Sequence, residues 1–220
     1  MGMVLKTAIL DILKLPYHKN DHSTSGKRED RHEYVIADVL SKHGFKQHVL
    51  SKNIKRKDMA AFKKTEDPSV LPDIPPGSYV VQPCGSQSYP DLLVRDFDGT
   101  YYCLECKSTK TGGTPMWNDN PASHPNGIYI LTAESYNRTT CFKGSDVFPS
   151  TMLEILERRA AEQAILDAKF NAELAAADCY NRGWKANCRT QHNQAGEGAN
   201  YFTHPDLERC EQAVLEFVSK

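Results

Sequence analysis

This chain lacks the features of a membrane protein or of a protein from an oxidising compartment. Its 220 residues contain no apolar run that approaches a membrane span in length, and the opening Met-Gly-Met-Val-Leu-Lys lacks the long apolar segment of a secretory signal. The seven cysteines are odd in number and scattered, so they do not form a dense disulfide framework. We therefore expect a cytoplasmic, intracellular protein with reduced thiols and no membrane partner.

A strong charge of either sign is also missing. The 27 lysines and arginines nearly balance the 28 acids, and the formal net charge is −1. Non-specific nucleic-acid binders usually carry an overall basic field, so any contact with DNA has to come from a local cleft. No internal repeat or long low-complexity tract occurs, which excludes repeat architectures and favours a globular domain.

The most informative part of the chain is a predicted hairpin. Asp91 opens a short apolar segment that is typical of a strand, and the Asp-Gly pair in the turn at 96–99 favours a hairpin connection. The returning strand is predicted over 100–108. Because side chains alternate along a strand, Glu105 and Lys107 point to the same face, and the hairpin brings Asp91 towards them.

Two acids and a lysine in this arrangement suit phosphodiester hydrolysis. The carboxylates of Asp91 and Glu105 are hard oxygen ligands of the kind that Mg²⁺ prefers, and the backbone carbonyl of Cys106 supplies a third. Mg²⁺ activates water and stabilises charge in the transition state, while Lys107 positions that water or offsets charge on the phosphate. The alternative is structural: Asp91 begins a strand, and Glu105 pairs with Lys107 on a solvated sheet face.

These residues also match a family. The Pro-Asp pair ending at Asp91 and the Glu-Cys-Lys triplet at 105–107 resemble the PD-(D/E)xK nuclease superfamily, and the wider pattern over 82–130 is similar to type II restriction endonucleases. The resemblance covers roughly residues 28–148. It implies an α/β fold with a central mixed sheet flanked by helices, and Mg²⁺-dependent cleavage of double-stranded DNA at a short specific sequence. Products with 5′-phosphates and a homodimer acting on a palindrome are implied as well.

The same resemblance predicts how the rest of the chain is organised. Residues 1–220 are predicted to form a single nuclease domain with its catalytic core at 28–148. In the resembled family an acid on an early helix often leans towards the metal, and Glu33 on a helix predicted over 28–43 is the candidate; a solvated helix acid is the alternative. Residues 150–220 are predicted to be a helical part that reads DNA or dimerises, although packing of its long helix is the default.

Several polar side chains are candidates for DNA contact. Some precede Asp91 at the mouth of the site, some lie in a loop after the second strand, and others lie in a segment over 181–202 that is rich in Arg, Asn and Gln. Arg, Asn and Gln are suited to bidentate base contacts, but turns and surface loops have a similar composition. The candidates are Ser86, Gln87, Ser88, Lys110, Asn118, Arg182, Lys185 and Arg189.

Other patterns receive simpler interpretations. A helix is predicted at the start of the chain, strands over 79–82 and 127–131, and a packing role for Trp117. The lysine-rich run over 52–64 is a candidate phosphate-contact surface or a solvated face.

Binding of zinc is a weak alternative for the cysteines, because Cys103 and Cys106 of the CxxC motif point to opposite faces of a strand. A second set has suitable residue types without the spacing of a standard finger: Cys188, His192, His204 and Cys210.

Two further functions stay open at this point. A DNA repair or junction-resolving nuclease would use the same three residues and recognise the structure of its substrate. A DNA-binding module with an inert pair of strands would bind without any Mg²⁺-dependent product.

Overall fold

A six-stranded mixed sheet forms the centre of the molecule, and the predicted α/β class with helices flanking this sheet is confirmed. The computed structural model of the chain describes residues 3–18, 32–65, 67–85, 88–113, 115, 117, 124–147, 150–186 and 199–219. The helices are α1 (Met3–Ile12), α2 (His32–Lys42), α3 (Arg56–Thr65), α4 (Gly144–Val147), α5 (Ser150–Ala177) and α6 (Leu207–Phe217), with a 3₁₀ turn at Pro68–Val70. The strands are β1 (Lys46–Gln47), β2 (Ser78–Val81), β3 (Leu92–Arg95), β4 (Tyr101–Thr109), β5 (Ile128–Ala133) and β6 (Arg138–Lys143).

The strands follow one another across the sheet in chain order, from β1 to β6. The pairs β1–β2 and β4–β5 are parallel, and the other neighbours are antiparallel. In the predicted hairpin of β3 and β4, Leu92 lies opposite Leu104. Extending this register by one residue places Asp91, just before β3, opposite Glu105. The two acids therefore lie side by side at the end of the sheet where β3 begins.

Strand β4 buries side chains on both faces of the sheet. Leu104 and Cys106 face a core that includes α1, α2 and α6, whereas Cys103 faces a second core that contains α3 and Trp117. The sulfurs of Cys103 and Cys106 therefore point to opposite faces, as alternation predicts, and Trp117 packs as expected with 1% of its surface exposed. Burial on both faces holds β4 in one register, because a slip by one residue would exchange the faces.

Helix α2 is held to the sheet by one apolar stripe. Ile36, Val39 and Leu40 are buried on its inner side, and each such side chain stabilises the fold by about 1.5–3 kcal/mol. Gly44 follows the end of the helix, and its φ of 89° is in the left-handed region that favours glycine. The amide of Phe45 then donates to the carbonyl of Leu40, which satisfies a carbonyl at the helix end.

Four elements have no counterpart in the sequence predictions: β1, α3, α4 and β6. Helix α3 overlaps the lysine-rich run, and the buried residues among its described side chains are Met59 and Phe62, so its apolar period is too sparse to recognise. Two of the buried side chains of β6 are the threonines Thr139 and Thr140, which weaken the apolar signal of a strand. The predicted strand ending at Gln82 stops one residue earlier, at Val81.

The long helix α5 does not pack on the sheet, so the default prediction for it was wrong. Its described side chains are exposed or half-buried, and Ile165 exposes 73% of its surface. The apolar residues of α5 are separated by charged residues and alanines, which leaves no continuous stripe wide enough to cover a sheet. Although α5 is long, neither it nor another helix in the described ranges has the apolar length needed to cross a membrane.

Two glycines with the same backbone conformation give a test of the packing at the start of β2. Gly77 and Gly183 both have φ of 70°, but a Cβ at Gly77 would lie 2.5 Å from the ring of Phe97, whereas a Cβ at Gly183 would have no atom within 4 Å. Gly77→Ala has to displace Phe97 from its contact with Phe45. We expect it to lower the free energy of unfolding by about 1 kcal/mol more than Gly183→Ala, measured by urea denaturation. Equal losses for the two variants would contradict the packing described here.

Candidate active site

The three predicted catalytic side chains lie together at the end of the sheet where β2 ends and β3 begins. The ammonium of Lys107 donates to Oε1 of Glu105 at 2.7 Å, and the amide of Cys106 donates to Oδ2 of Asp91 at 2.8 Å. Glu105 and Lys107 are mostly buried, with 12% and 15% of their side chains exposed. Their ion pair is therefore not the solvated surface pair of the structural alternative.

The backbone of Cys106 also points to this site. In a β-strand the N–H and C=O groups of one residue point to the same side. Because the N–H of Cys106 reaches the carboxylate of Asp91, its carbonyl is directed to the same edge of β4, beyond the first residue of β3. This is the position that the sequence assigned to a third oxygen ligand.

Helix α2 brings Glu33 to the same site, where only 3% of its surface is exposed. Nε2 of Gln82 donates to Oε1 of Glu33 at 3.3 Å, and the backbone amide of Gln82 donates to the carbonyl of Asp91 at 2.7 Å. Gln82 therefore connects the third acid to the start of β3.

Gln82 is a site residue that was not among the predicted ones; the sequence placed it at the end of a strand and at the start of the pattern over 82–130. Its φ is 49°, a conformation that costs a non-glycine residue on the order of 1 kcal/mol or more and that is enriched at functional sites. Its side-chain hydrogen bond to Glu33 joins residues 49 positions apart, a contact that no local pattern in the sequence predicts.

Burial sets the charge of Asp91. Desolvation, with the nearby carboxylate of Glu105, raises the pKa of Asp91 to about 8, against the opposing effects of Lys107 and of the Cys106 amide. Glu33 raises this pKa further. Burial on its own would lower the pKa of Lys107, but Glu105 reverses this and the pKa of Lys107 is raised. Lys107 is therefore an ammonium at neutral pH.

The donor set fits a small hard cation such as Mg²⁺. Oε2 of Glu105 is buried and has no hydrogen-bond partner among the described residues, and three carboxylates face one ammonium. In the described ranges, no three His, Cys, Asp or Glu side chains converge closely enough to hold a metal by themselves. A site with so few protein ligands still suits Mg²⁺, because this cation keeps several of its bound waters. Asp91, Glu105 and the carbonyl of Cys106 are the groups that would hold it.

A histidine at the start of α2 lies next to β4, the strand that carries Glu105 and Lys107. His32 is fully buried, its ring nitrogens have no hydrogen-bond partner among the described residues, and burial lowers its pKa to about 3, with a further contribution from His18. The backbone of Lys107 lies next to this ring and acts in the opposite direction on its pKa. His32 is therefore neutral and adds no charge to the acids and the lysine above it.

Four of the eight candidate DNA contacts lie in the described part of the chain, on three separate segments. Lys110 is exposed just after β4, and its carbonyl accepts hydrogen bonds from Ser135. Ser88 is half-buried in a turn in which its amide donates to the carbonyl of Gly85. Arg182 and Lys185 are exposed on the segment that follows α5. The other candidates lie outside the described residues: Ser86, Gln87, Asn118 and Arg189.

The second zinc set is only partly described. The ring of His204 accepts a hydrogen bond from the amide of Asp206 at 3.1 Å, so its Nδ1 is already engaged. Cys210 lies on α6 and is half-buried. Cys188 and His192 lie outside the described residues.

Comparisons of this chain with protein-family models, with curated proteins and with solved structures find no match. The geometry of Asp91, Glu105 and Lys107 is therefore the basis on which a function can be proposed.

The raised pKa of Asp91 predicts a particular dependence of stability on pH. Above about pH 4 the unfolded chain releases the proton of Asp91 while the native state keeps it, up to about pH 8. The stability that this proton provides is complete below about pH 4 and is lost as the pH rises to about 8. Asp91→Asn keeps an acceptor for Cys106 and removes the charge. We expect this variant to match the wild type at about pH 4 and to exceed it by roughly 3–6 kcal/mol at about pH 8.

Urea denaturation in EDTA at several pH values measures this difference. Glu134→Gln, at an exposed position, is the control and should follow the wild type throughout. Parallel profiles for Asp91→Asn and the wild type would contradict a buried carboxylate with a raised pKa.

Proposed function

We propose that this protein is a Mg²⁺-dependent endonuclease of the restriction type, with a restriction-endonuclease-like core formed by the hairpin of β3 and β4 and the elements around it. The observation that carries the proposal is the grouping of Asp91, Glu105 and Lys107 at one end of the sheet. They are half-buried or buried there, Asp91 is linked to the backbone of β4, and one carboxylate oxygen of Glu105 has no hydrogen-bond partner among the described residues.

The chain's own residues have separate tasks in this proposal. Glu105 and Asp91, whose proton the cation displaces, provide the negative charge that binds the cation, and Glu33, held by Gln82, adds to that charge. When bound, Mg²⁺ supplies an activated water and charge stabilisation for the phosphate. Lys107 cannot accept a proton at neutral pH because its pKa is raised. It therefore donates a hydrogen bond that orients the water and offsets negative charge on the phosphate oxygens.

Double-stranded DNA is the proposed substrate. The resemblance to type II restriction endonucleases supports a short specific sequence as the target and products that carry 5′-phosphates. The net charge of −1 leaves the protein without an overall basic field, so specific contacts near the site have to provide much of the affinity. Lys110, exposed three residues after Lys107, is one such contact at the end of β4.

Cleavage of DNA tests this proposal directly. Purified protein is incubated with unmodified phage and plasmid DNA in Mg²⁺ or in EDTA, and the fragment ends are sequenced. We expect discrete fragments in Mg²⁺ that share one short end sequence, and none in EDTA. Asp91→Ala and Lys107→Ala should each lower the rate of cleavage by about 100-fold or more, because each removes a group at the reacting phosphate. Glu134→Ala, which removes an exposed acid in the turn between β5 and β6, should cut at the wild-type rate.

Retained cleavage by both active-site variants would refute the assignment of the site. Cleavage of flaps or junctions without cleavage of duplex DNA would favour a structure-specific nuclease with the same three residues. Binding of DNA with no Mg²⁺-dependent product from any of these substrates would refute the catalytic proposal.

Binding of Mg²⁺ in the absence of DNA tests the metal site separately from activity. We expect Mg²⁺ to raise the melting temperature of the protein, because it binds to the site of the native state and not to the unfolded chain. The effect should be larger at about pH 8 than at about pH 6, since the cation has to displace the proton that Asp91 holds. Asp91→Asn and Glu105→Gln should abolish the shift, and Glu33→Gln should reduce it. An equal shift in Asp91→Asn would place the cation elsewhere.

A further inference from the structure

A large cavity lies beside the first residues of β4. Its volume is about 620 Å³, which is within the range of about 300–1,000 Å³ that is usual for small-molecule sites. Residues 101–103 of β4 form one side of it, and residues 124–127, which precede β5, form the other. The three catalytic candidates are not part of its lining, so the proposed function leaves this cavity without a role.

Aromatic rings line the cavity on both faces of the sheet. Phe62, Tyr89 and Tyr101 belong to the core that contains α3 and Trp117. Tyr102 and Phe217 belong to the core on the other face, where their rings meet edge to face with centres 5.5 Å apart. Aromatic side chains hold a further flat ring by stacking or edge contacts, each worth about 0.5–1.5 kcal/mol beyond the area buried. The walls therefore favour a planar aromatic ligand.

The backbone of β4 provides hydrogen-bonding groups at the same place. The amide of Cys106 points towards β3, since it donates to the carboxylate of Asp91. Backbone groups alternate in direction along a strand, so the N–H and C=O of Tyr101, an odd number of residues earlier, point away from β3. Pairing with β5 begins at Leu104, opposite Ile128, so Tyr101 lies before it, where the cavity is. A donor beside an acceptor matches the groups on the edge of a nucleobase.

A cation lies over a wall ring at each side of the cavity. Nζ of Lys143 is 4.9 Å from the centre of the Phe217 ring, and the guanidinium carbon of Arg95 is 5.2 Å from the centre of the Tyr101 ring. Arg95 is paired with Asp73, whereas Lys143 has no ion-pair partner among the described residues. The ammonium of Lys143 is therefore available to a phosphate group.

The charges also indicate where a phosphate would lie. The acid in the lining is Asp98, which belongs to the turn between β3 and β4 and is therefore close to Arg95. A phosphate is repelled at that side and attracted to Lys143 at the other. A ligand with a flat base and a phosphate fits this distribution better than an uncharged aromatic compound.

We propose that this cavity binds a nucleotide, with its base between the aromatic walls beside Tyr101 and its phosphate at Lys143. The inference stands on the cavity and does not depend on the proposed nuclease activity. A free nucleotide and a nucleotide of a DNA strand present the same two groups, and the experiments below separate these sources.

Calorimetric titration tests the binding and the two contacts. AMP, GMP, CMP and UMP are titrated into the whole protein in EDTA, which keeps divalent cations away from the candidate active site. We expect Thr100→Trp, which adds an indole to the wall of the cavity, to weaken binding by about 10-fold or more. Lys143→Met should weaken AMP by about 3- to 10-fold and leave adenosine unchanged, because adenosine lacks the phosphate.

Two matched variants are the controls for this titration. Thr100→Val changes the same position without adding volume, and Lys46→Met removes an exposed lysine from β1, so both should bind AMP like the wild type. Absence of binding for all four nucleotides would overturn the proposal. So would wild-type affinity of Thr100→Trp for a nucleotide, or an equal loss of AMP and adenosine binding in Lys143→Met.

Photoaffinity labelling tests the location. The protein is irradiated with 8-azidoadenosine 5′-monophosphate, and the labelled peptides are identified by mass spectrometry. We expect label within 100–103 or 124–127, and unmodified AMP should displace it. Label confined to other peptides would overturn the assignment of the cavity.

A short single-stranded oligodeoxynucleotide separates the two sources in the same experiment. Displacement of the label by this oligonucleotide as well as by AMP would support the proposal with DNA as the source of the base. Displacement by AMP alone would support it with a free nucleotide. Label that neither compound displaces would overturn it, whatever the outcome of the cleavage assay.

Discussion

The pairing of β3 with β4 is the constraint on which the site depends. Leu92 opposite Leu104 places Asp91 beside Glu105, and the 2.8 Å hydrogen bond from the amide of Cys106 holds the carboxylate of Asp91 at the end of β3. A slip of one residue would move the two acids to opposite faces of the sheet. The apolar side chains of β4 on both faces prevent this slip, so the core that stabilises the fold also aligns the site.

The same alignment lowers the stability of the fold at the site. Three carboxylates and one ammonium lie at a mostly buried edge, where each unpaired charge is unfavourable, and the raised pKa of Asp91 is the consequence. Gln82 holds Glu33 in this cluster at the expense of an unfavourable backbone conformation. The packing of the surrounding core compensates for this loss of stability. Such a loss is expected at sites that are arranged to bind a cation and an anionic substrate.

Predictions from the sequence succeeded where the determinants are local. The alternation along β4 and the Asp-Gly turn located Asp91, Glu105 and Lys107 on one hairpin, and the sheet and its flanking helices follow the predicted class. They failed where contacts between distant segments decide. The few apolar residues of helix α3 lie among lysines, and the hydrogen bond that joins Gln82 to the site is made with Glu33, 49 residues away in the chain.

By itself, the sequence determined the alternation of side chains on β4, because this alternation depends only on residue spacing along one strand. The tertiary structure decided that Glu33 and Gln82 join the acids, that His32 is neutral beneath Lys107, and that α5 stands exposed. Burial and desolvation are properties of the packed molecule, and no residue carries them alone. The pKa of Asp91 is therefore a product of the fold rather than of its motif.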